Sequence, residues 1–158
     1  VSEIVDSEVI QTTPHKEVDL NGEFHFKVDG KGRMALPAKF RKVLSKDLVV
    51  TPEITNECIY VFETPDFNQW VEKLFVDRFG EYKESDREHV KLRRMLKARA
   101  RDVEVDASGR IMLSPEVRQM VGIDKEVVVV GNTGRFEIWS AEAYQAMSDT
   151  VDLGLFYA

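Results

Sequence analysis

The sequence predicts a mixed α/β fold, mostly β, assembled from two tandem copies of one unit of about 50 residues. Three observations carry this. The first is self-similarity: at an offset of 77 residues, Val28, Asp29, Gly32, Arg33, Leu36 and Arg41 fall on Val105, Asp106, Gly109, Arg110, Leu113 and Arg118. That is six identities in the 14 positions from 28 to 41, where about one is expected by chance. The register continues without a gap, with Leu44 on Val121, Asp47 on Asp124, Val50 on Val127, Ile59 on Phe136, Val61 on Ile138, Phe62 on Trp139 and Phe67 on Tyr144. The second observation is period-two alternation of apolar residues around a tight turn, and the third is a proline-led helical stretch after it.

Each copy is expected to run strand, turn, strand, short helix, β-hairpin and closing helix. Phe24, Phe26 and Val28 alternate, as do Met34 and Leu36 after the turn, the pattern of strands buried on one face. Pro37 opens a helix where its missing N–H costs nothing, and Phe40, Val43 and Leu44 space apolar side chains along Ala38 to Ser45. Pro115 takes that part in the second copy. The later hairpin comprises Leu48 to Thr51 with Cys58 to Phe62, and in the second copy Val127 to Val130 with Phe136 to Trp139 around the turn-forming Gly131-Asn132-Thr133-Gly134. Between the copies, Ser85-Asp86-Arg87-Glu88 has the S-x-x-E form of a capping box. Leu92, Met95, Leu96, Ala100 and Val103 follow at helical spacing, predicting a connecting helix from about 86 to 101. So small a unit with open strand edges is marginal alone, so the copies are expected to pair into one intertwined body with a pseudo-twofold relation.

A chain of 158 residues, 43% hydrophobic and 32% charged, has the makeup of one folded domain or two small ones. No apolar run approaches the roughly 20 residues of a membrane span, and the first residues, VSEIVDSEVI, lack the basic and apolar regions of a secretory signal. The expected location is the cytoplasm, with no membrane partner. One cysteine, Cys58, and three scattered histidines, His15, His25 and His89, leave neither a disulfide scaffold nor a ligand set for a metal. No nucleophile, base and orienting group fall together, and neither glycine-rich phosphate motif occurs, so no enzyme, cofactor or small-molecule substrate is expected. The net charge of −6 argues at first against a phosphate-rich partner. Its distribution weakens the objection. Residues 1 to 23 hold six acids against Lys16, whereas Arg87 to Arg101 has seven Lys or Arg against Glu88. The acidic segment 1–20 is expected to be a loosely attached tail.

The motif that carries chemistry is V-D-x-x-G-R, present as Val28 to Arg33 and as Val105 to Arg110. Asp suits the first position of a type I turn because its carboxylate accepts backbone N–H groups two residues on, and Gly suits the fourth. Such a turn projects its Arg from a rigid base, and a guanidinium fork matches a guanine edge or a phosphate. Lys31 adds a cation to the first turn where the second has Ser108, so the prongs are unequal. Two readings stand at this point: the turns read nucleic acid, or Asp and Arg pair only to fix a hairpin. Arg41 and Arg118 also repeat, as further cations or as supports for the loops.

The segments NGEFHFKVDGKGRMALPAKFR, ARDVEVDASGRIMLSPEVR and KEVVVVGNTGRFEIW resemble the bacterial MraZ family over about residues 21 to 146. The resemblance implies two AbrB-like swapped-hairpin halves of βαββ type, packed as a pseudo-twofold β-barrel. It divides the chain into a tail (1–20), a first AbrB-like domain (24–71), a helical linker (72–99), a second AbrB-like domain (100–143) and a C-terminal helix and tail (144–158). It implies a nucleoid-associated, sequence-specific regulator of the division and cell-wall gene cluster. Such a regulator binds double-stranded DNA at direct repeats upstream of its own operon, as a ring-shaped homo-oligomer. The family's DNA-contacting positions, its D-x-x-x-R turns, carry over to Asp29, Lys31, Arg33, Asp106 and Arg110, with Arg41, Arg118 and Ser108 in support. The longer acidic tail departs from the family pattern and leaves open a tail that screens DNA binding.

Three features have plainer readings beside the functional ones. A helical wheel places Arg87, Lys91, Arg93, Arg94, Lys97 and Arg101 opposite Leu92, Met95 and Leu96, with Arg99 on the apolar side. That basic face is a phosphate contact, a solvated surface or a partner for acids of a neighbouring subunit. Trp70 and Trp139 fit core packing better than base stacking. The fold also suits an oligomeric scaffold or the DNA-binding antidote of a toxin.

Overall fold

Wherever apolar residues alternate, the chain is extended. The computed structural model describes residues 15–158, so residues 1–14 of the expected acidic tail lie outside the described residues. Its strands are β1 (Glu23–Lys27), β2 (Arg33–Ala35), β3 (Asp47–Pro52), β4 (Ile59–Glu63), β5 (Arg101–Glu104), β6 (Arg110–Met112), β7 (Glu126–Gly131) and β8 (Phe136–Ser140). Its helices are α1 (Ala38–Arg41), α2 (Thr64–Phe79), α3 (Arg87–Arg99), α4 (Pro115–Met120) and α5 (Ala141–Ser148), followed by a 3-10 helix (Leu153–Tyr157). The order of elements expected for each copy is the order observed.

Six strands form one antiparallel sheet in the order β1-β7-β8-β4-β3-β5, and β2 pairs with β6 in a separate ribbon. Apart from the two hairpins, every pairing joins one copy to the other. β1 lies on β7, β5 on β3, β4 on β8 and β2 on β6. Among the described residues, hydrogen bonding leaves β1 and β5 as open edges, so the strands make an open sheet with a ribbon where a barrel was expected. The three-residue β2 and β6 spend their ladder on each other.

The gap-free register needs one correction. Leu48 pairs with Glu63 as Val127 pairs with Ser140. β3 therefore maps onto β7 two residues beyond the expected register, while β4 maps onto β8 within it. The extra residues before β7 are removed again in the hairpin turn, which spans 53–58 in the first copy and 132–135 in the second. A two-residue slip leaves every side chain on its original face, because strand side chains alternate with period two.

That alternation makes the sheet two-faced. Leu48, Val50, Ile59, Val61, Val127, Val129, Phe136 and Ile138 face a core closed by Met34 and Ile111 of the ribbon and by Phe40 and Val117 of α1 and α4. On the other face Val49 and Phe62 pack with Phe67, Val71 and Phe75 of α2. Trp70 packs against this second cluster, and Trp139 is buried with its Nε1 donating to Glu137 at 3.0 Å. Both tryptophans serve packing. Residues 15–20, expected within the loose tail, are packed at this end of the chain. Val18 and Leu20 are buried in the main core, and Asp19 bridges to Thr133.

The helices depart from expectation in detail. Pro37 is the residue before α1, which ends at Arg41, whereas Pro115 lies at the first turn of α4 with Ser114 accepting from the Val117 N–H. The connecting helix is Arg87–Arg99, and Arg101 belongs to β5. Its cap is Asp86, not Ser85: Asp86 Oδ1 accepts from the Glu88 and His89 N–H groups at 2.9 and 3.3 Å. Asp86→Ala should therefore lower stability by about 1 kcal/mol, a drop of about 2–4 °C in melting temperature at this size, with Ser85→Ala close to neutral. Thermal unfolding by circular dichroism compares the two.

The face of α3 is turned partway round relative to the helical wheel, with Arg87, Lys91 and Arg94 exposed as expected. Arg93 pairs with Glu72 and lies 4.0 Å over the Tyr82 ring, and Lys97 donates to Asn68 at 2.9 Å and lies over Phe67. His89 is buried and Leu96 packs on the second cluster, while Leu92 and Met95 are exposed. These long cationic stems cover Phe67 of α2 and Tyr82 after it, so part of the basic stretch is spent within the chain. Arg99 points inward as the wheel suggested, its Nη2 donating to the Glu53 carbonyl at 3.0 Å.

Candidate nucleic-acid interface

Each D-x-x-x-R segment folds into the tight turn its residues call for. In the first, the Gly32 N–H donates to the Asp29 carbonyl at 3.0 Å and the Asp29 N–H to the Arg33 carbonyl at 2.9 Å. Asp29 Oδ1 accepts from the Lys31 and Arg33 N–H groups, both at 2.9 Å. The second turn repeats the pattern, with Asp106 Oδ1 accepting from Ser108 at 2.8 Å and from Arg110 at 3.0 Å. Gly32 and Gly109 hold φ of +86° and +75°, a region open to glycine.

These bonds determine what the aspartates do. Backbone N–H donation, from Arg33 in one turn and Arg110 in the other, holds the Asp29 and Asp106 carboxyls below the ordinary carboxylate range. The turn-fixing bonds are thus fully present above the unfolded carboxylate pKa. They are lost as pH falls through the lowered folded value. Both aspartates are committed to the backbone and to their arginines, so they position the turns.

The arginines differ in how firmly they are held. Arg33 Nε donates to Asp29 Oδ2 at 2.9 Å, whereas Arg110 Nε lies 3.4 Å from Asp106 Oδ2 and is buried with no hydrogen-bond partner among the described residues. Both side chains remain about one-third exposed, at 31% and 33%. Arg33 is engaged through Nε, and Arg110 turns its Nε toward Asp106 without a hydrogen bond, so in both the outer edge of the fork is left to meet a ligand. Lys31 and Ser108 stand exposed at the turn tips.

Pairing of β2 with β6 brings the turns together. Arg33 lies opposite Met112 and Ala35 opposite Arg110, with Met34 and Ile111 turned into the core. One outward face therefore carries Arg33, Ala35, Arg110 and Met112. The Leu36 N–H donates to the Gly109 carbonyl at 3.0 Å and the Leu113 N–H to the Gly32 carbonyl at 2.8 Å, so each turn is stitched to the opposite copy. Arg41 and Arg118 brace the turns crosswise. Arg41 of the first copy lies against Gly109, and Arg118 of the second lies against Gly32 and donates from Nε to the Leu113 carbonyl at 3.2 Å. The sequence offered Arg41 and Arg118 as further cations or as supports for the loops, and the second part is the one they take. It did not reveal the exchange, or the ribbon that puts Ala35 and Met112 between the arginines, although the alternation through 33–35 and 110–112 holds that signal.

Elsewhere, His15, Glu63 and Asp66 bring ligand-type atoms within 4.8 Å of one another. His15 Nε2 bonds Asp66 Oδ1 at 2.7 Å, which anchors the residues before β1, and Glu63 accepts from the Ser45 N–H at 2.6 Å just before β3. Among the described residues no helix is long and apolar enough to cross a membrane.

Comparison with known proteins places this geometry in context. The chain matches the family described as "MraZ protein, putative antitoxin-like" over residues 20–88 and 96–156. It is 40% identical over 128 residues to the transcriptional regulator MraZ of Saccharopolyspora erythraea, covering 81% of this chain and 85% of that protein. The transcriptional regulator MraZ of Lachnoclostridium phytofermentans is 36% identical over 132 residues, 83% of this chain and 89% of that protein. That of Idiomarina loihiensis is 35% identical over 121 residues, 74% and 76% of the two chains.

Proposed function

The chain belongs to the MraZ family, and on that premise we propose that it is a DNA-binding transcriptional regulator whose β2–β6 ribbon and flanking turns meet the major groove. The observation that carries this reading is the shared outward face, where Arg33 and Arg110 from the two repeats stand on one antiparallel ribbon. A two-stranded ribbon fits a major groove, and arginine forks suit guanine edges. Arg33, Arg110 and Lys31 are the contacting groups. Asp29, Asp106, Arg41 and Arg118 position them, and Ser108 leaves the second turn the weaker cation. Exchange of equivalent strands reverses the sheet order onto itself, which supports a pseudo-twofold relation between domains at 24–71 and 100–143.

The finer reading is that direct repeats upstream of the protein's own operon, within the division and cell-wall gene cluster, are the targets. A ring of copies in the cytoplasm engages them on the nucleoid. One chain offers few cations, and many linked weak contacts offset that.

Fluorescence anisotropy with DNA from upstream of the operon, against a scrambled duplex at two salt concentrations, tests the proposal. Tight, salt-sensitive, selective binding is expected. Equal weak binding to both duplexes would turn the reading to an oligomeric scaffold or antidote. Lys31→Ser makes the first turn resemble the second. It should weaken binding to both duplexes alike and reduce the log–log salt slope by about 0.9 for each turn engaged.

A further inference from the structure

We infer that Lys46 of the first repeat supplies the cation that the second turn lacks, contacting a DNA phosphate beside Ser108. This deepens the proposed function and rests on it, because Lys46 is a backbone-contacting group of the same interface.

The exchange between repeats sets where Lys46 stands. The Val105 N–H, at the start of the second turn, donates to the Lys46 carbonyl at 2.9 Å. The Val28 N–H, at the start of the first, donates to the Lys125 carbonyl at 2.8 Å. Each turn is therefore flanked by one lysine of the other repeat. The offset of 77 residues hides this pair, since it sets Lys46 against Ile123. The two-residue slip before β7 brings Lys125 into the matching place.

The two flanks match in position and differ in charge. Residues 38–46 carry four cations, Lys39, Arg41, Lys42 and Lys46, and no acid. The matching stretch 115–125 carries Arg118 and Lys125 against Glu116 and Asp124. Asp47 follows Lys46 as Glu126 follows Lys125, so the difference lies in the residues up to each lysine. The turns show the reverse imbalance, with Lys31 in the first and Ser108 in the second. The turn without a cation of its own is thus the one beside the cationic flank, and the turn that carries Lys31 lies beside the balanced one.

Lys46 is also free to act. It is exposed and forms no ion pair among the described residues. A groove of about 190 Å³ separates the loop before β3 from the second turn, lined by Arg41, Lys46, Asp106, Ala107 and Gly109 among others. Arg41 lies against Gly109 as a brace, which leaves Lys46 as the outer cation of that groove. A lysine is a compact charge on a flexible stem, suited to a phosphate and not to the edge of a base. Phosphate contacts fix register and orientation without reading sequence, so Lys46 would hold the strand that Arg110 reads.

Anisotropy across a salt series, on operator and scrambled duplexes, tests this with Lys46→Ala, Lys125→Ala, and Lys46→Ala combined with Ser108→Lys. Lys46→Ala should weaken both duplexes alike, keep the ratio of their affinities, and reduce the log–log salt slope by about 0.9 for each second turn engaged. Adding Ser108→Lys should restore the slope, because the second turn then carries its own lysine as the first does. A lysine that only supported the loop would not be replaced in this way. Lys125→Ala should change the slope less than Lys46→Ala does. The Lys46 carbonyl still accepts from Val105 in the alanine variant, so the fold should hold, as circular dichroism checks. Should it not, Lys46→Gln keeps most of the stem, removes the charge and should give the same loss of slope. An unchanged slope in a folded Lys46 variant, no recovery with Ser108→Lys, or an equal loss from Lys125→Ala would overturn the proposal. The same titrations separate it from the regulator reading. Wild type that binds both duplexes equally, with a slope that Lys46→Ala reduces, defeats only the regulator reading. Selective wild type whose slope survives in the Lys46 variants defeats only the assignment of Lys46, and wild type without affinity for DNA defeats both.

Discussion

Arg33→Ala combined with Arg110→Ala should abolish selective DNA binding while leaving the fold intact. A well-placed arginine fork on a guanine edge is worth about 1–3 kcal/mol of discrimination, so two together account for about 30-fold to 10⁴-fold in affinity for the operator over a scrambled duplex. The stability change should be small. Each arginine is about one-third exposed and its pairing with aspartate lies at the surface, where ion pairs contribute at most about 1 kcal/mol. Arg33→Ala should be the more destabilising single change, because Arg33 donates to Asp29 at 2.9 Å while Arg110 Nε has no hydrogen-bond partner among the described residues. The competing reading, in which Asp and Arg pair only to fix the hairpin, makes the opposite forecast: lost stability and unchanged DNA binding. Anisotropy and thermal unfolding on the same double variant decide between them. Wild-type operator binding by a folded double variant would remove these turns from the interface.

Local chemistry proved legible in the sequence, and partnerships across the chain did not. Asp at the first and Gly at the fourth position specify each turn through bonds confined to five residues, so the turns form as expected. The alternation at Phe24, Phe26 and Val28 and at Met34 and Leu36 likewise reports which faces are buried. Strand partners are another matter. Nothing local in Phe24 says that its neighbour across the sheet is Val129 of the other copy. The two-residue slip of β3 against β7 was invisible because period two preserves the faces. The α3 wheel held for Leu96 and Arg99 and missed Leu92 and Met95, for a different reason. Arginine and lysine stems can cover aromatic surface as well as leucine does, so Arg93 and Lys97 took the place assigned to Leu92 and Met95. At Asp86, a carboxylate one residue after the expected serine reached the same helix N–H groups. At the site, V-D-x-x-G-R identified the prongs. Which arginine braces which turn depends on the β2–β6 ladder, which residue spacing does not encode.

That crossed bracing makes the two turn glycines unequal. Alanine at either meets the backbone strain of positive φ, about 1–3 kcal/mol. A Cβ on Gly32 would also come within 2.6 Å of the Leu113 carbonyl oxygen, which belongs to the ribbon and cannot step aside alone. On Gly109 it would meet Arg41, with Cδ at 2.8 Å, and an exposed arginine can swing away. Gly32→Ala should therefore cost about 3 kcal/mol or more, a loss of about 6–12 °C in melting temperature, and Gly109→Ala about 1–2 kcal/mol. A double-mutant cycle isolates the cause. Arg41→Ala should relieve part of the Gly109→Ala penalty, because it removes the colliding group. Arg118→Ala should leave the Gly32→Ala penalty almost unchanged, because the nearest obstruction there is backbone. Equal penalties for the two glycines, or additivity of Gly109→Ala with Arg41→Ala, would show that Arg41 does not brace the second turn. Since the Leu113 carbonyl also accepts from Arg118, Gly32→Ala should disturb both repeats and weaken DNA binding through both prongs, whereas Gly109→Ala should weaken one.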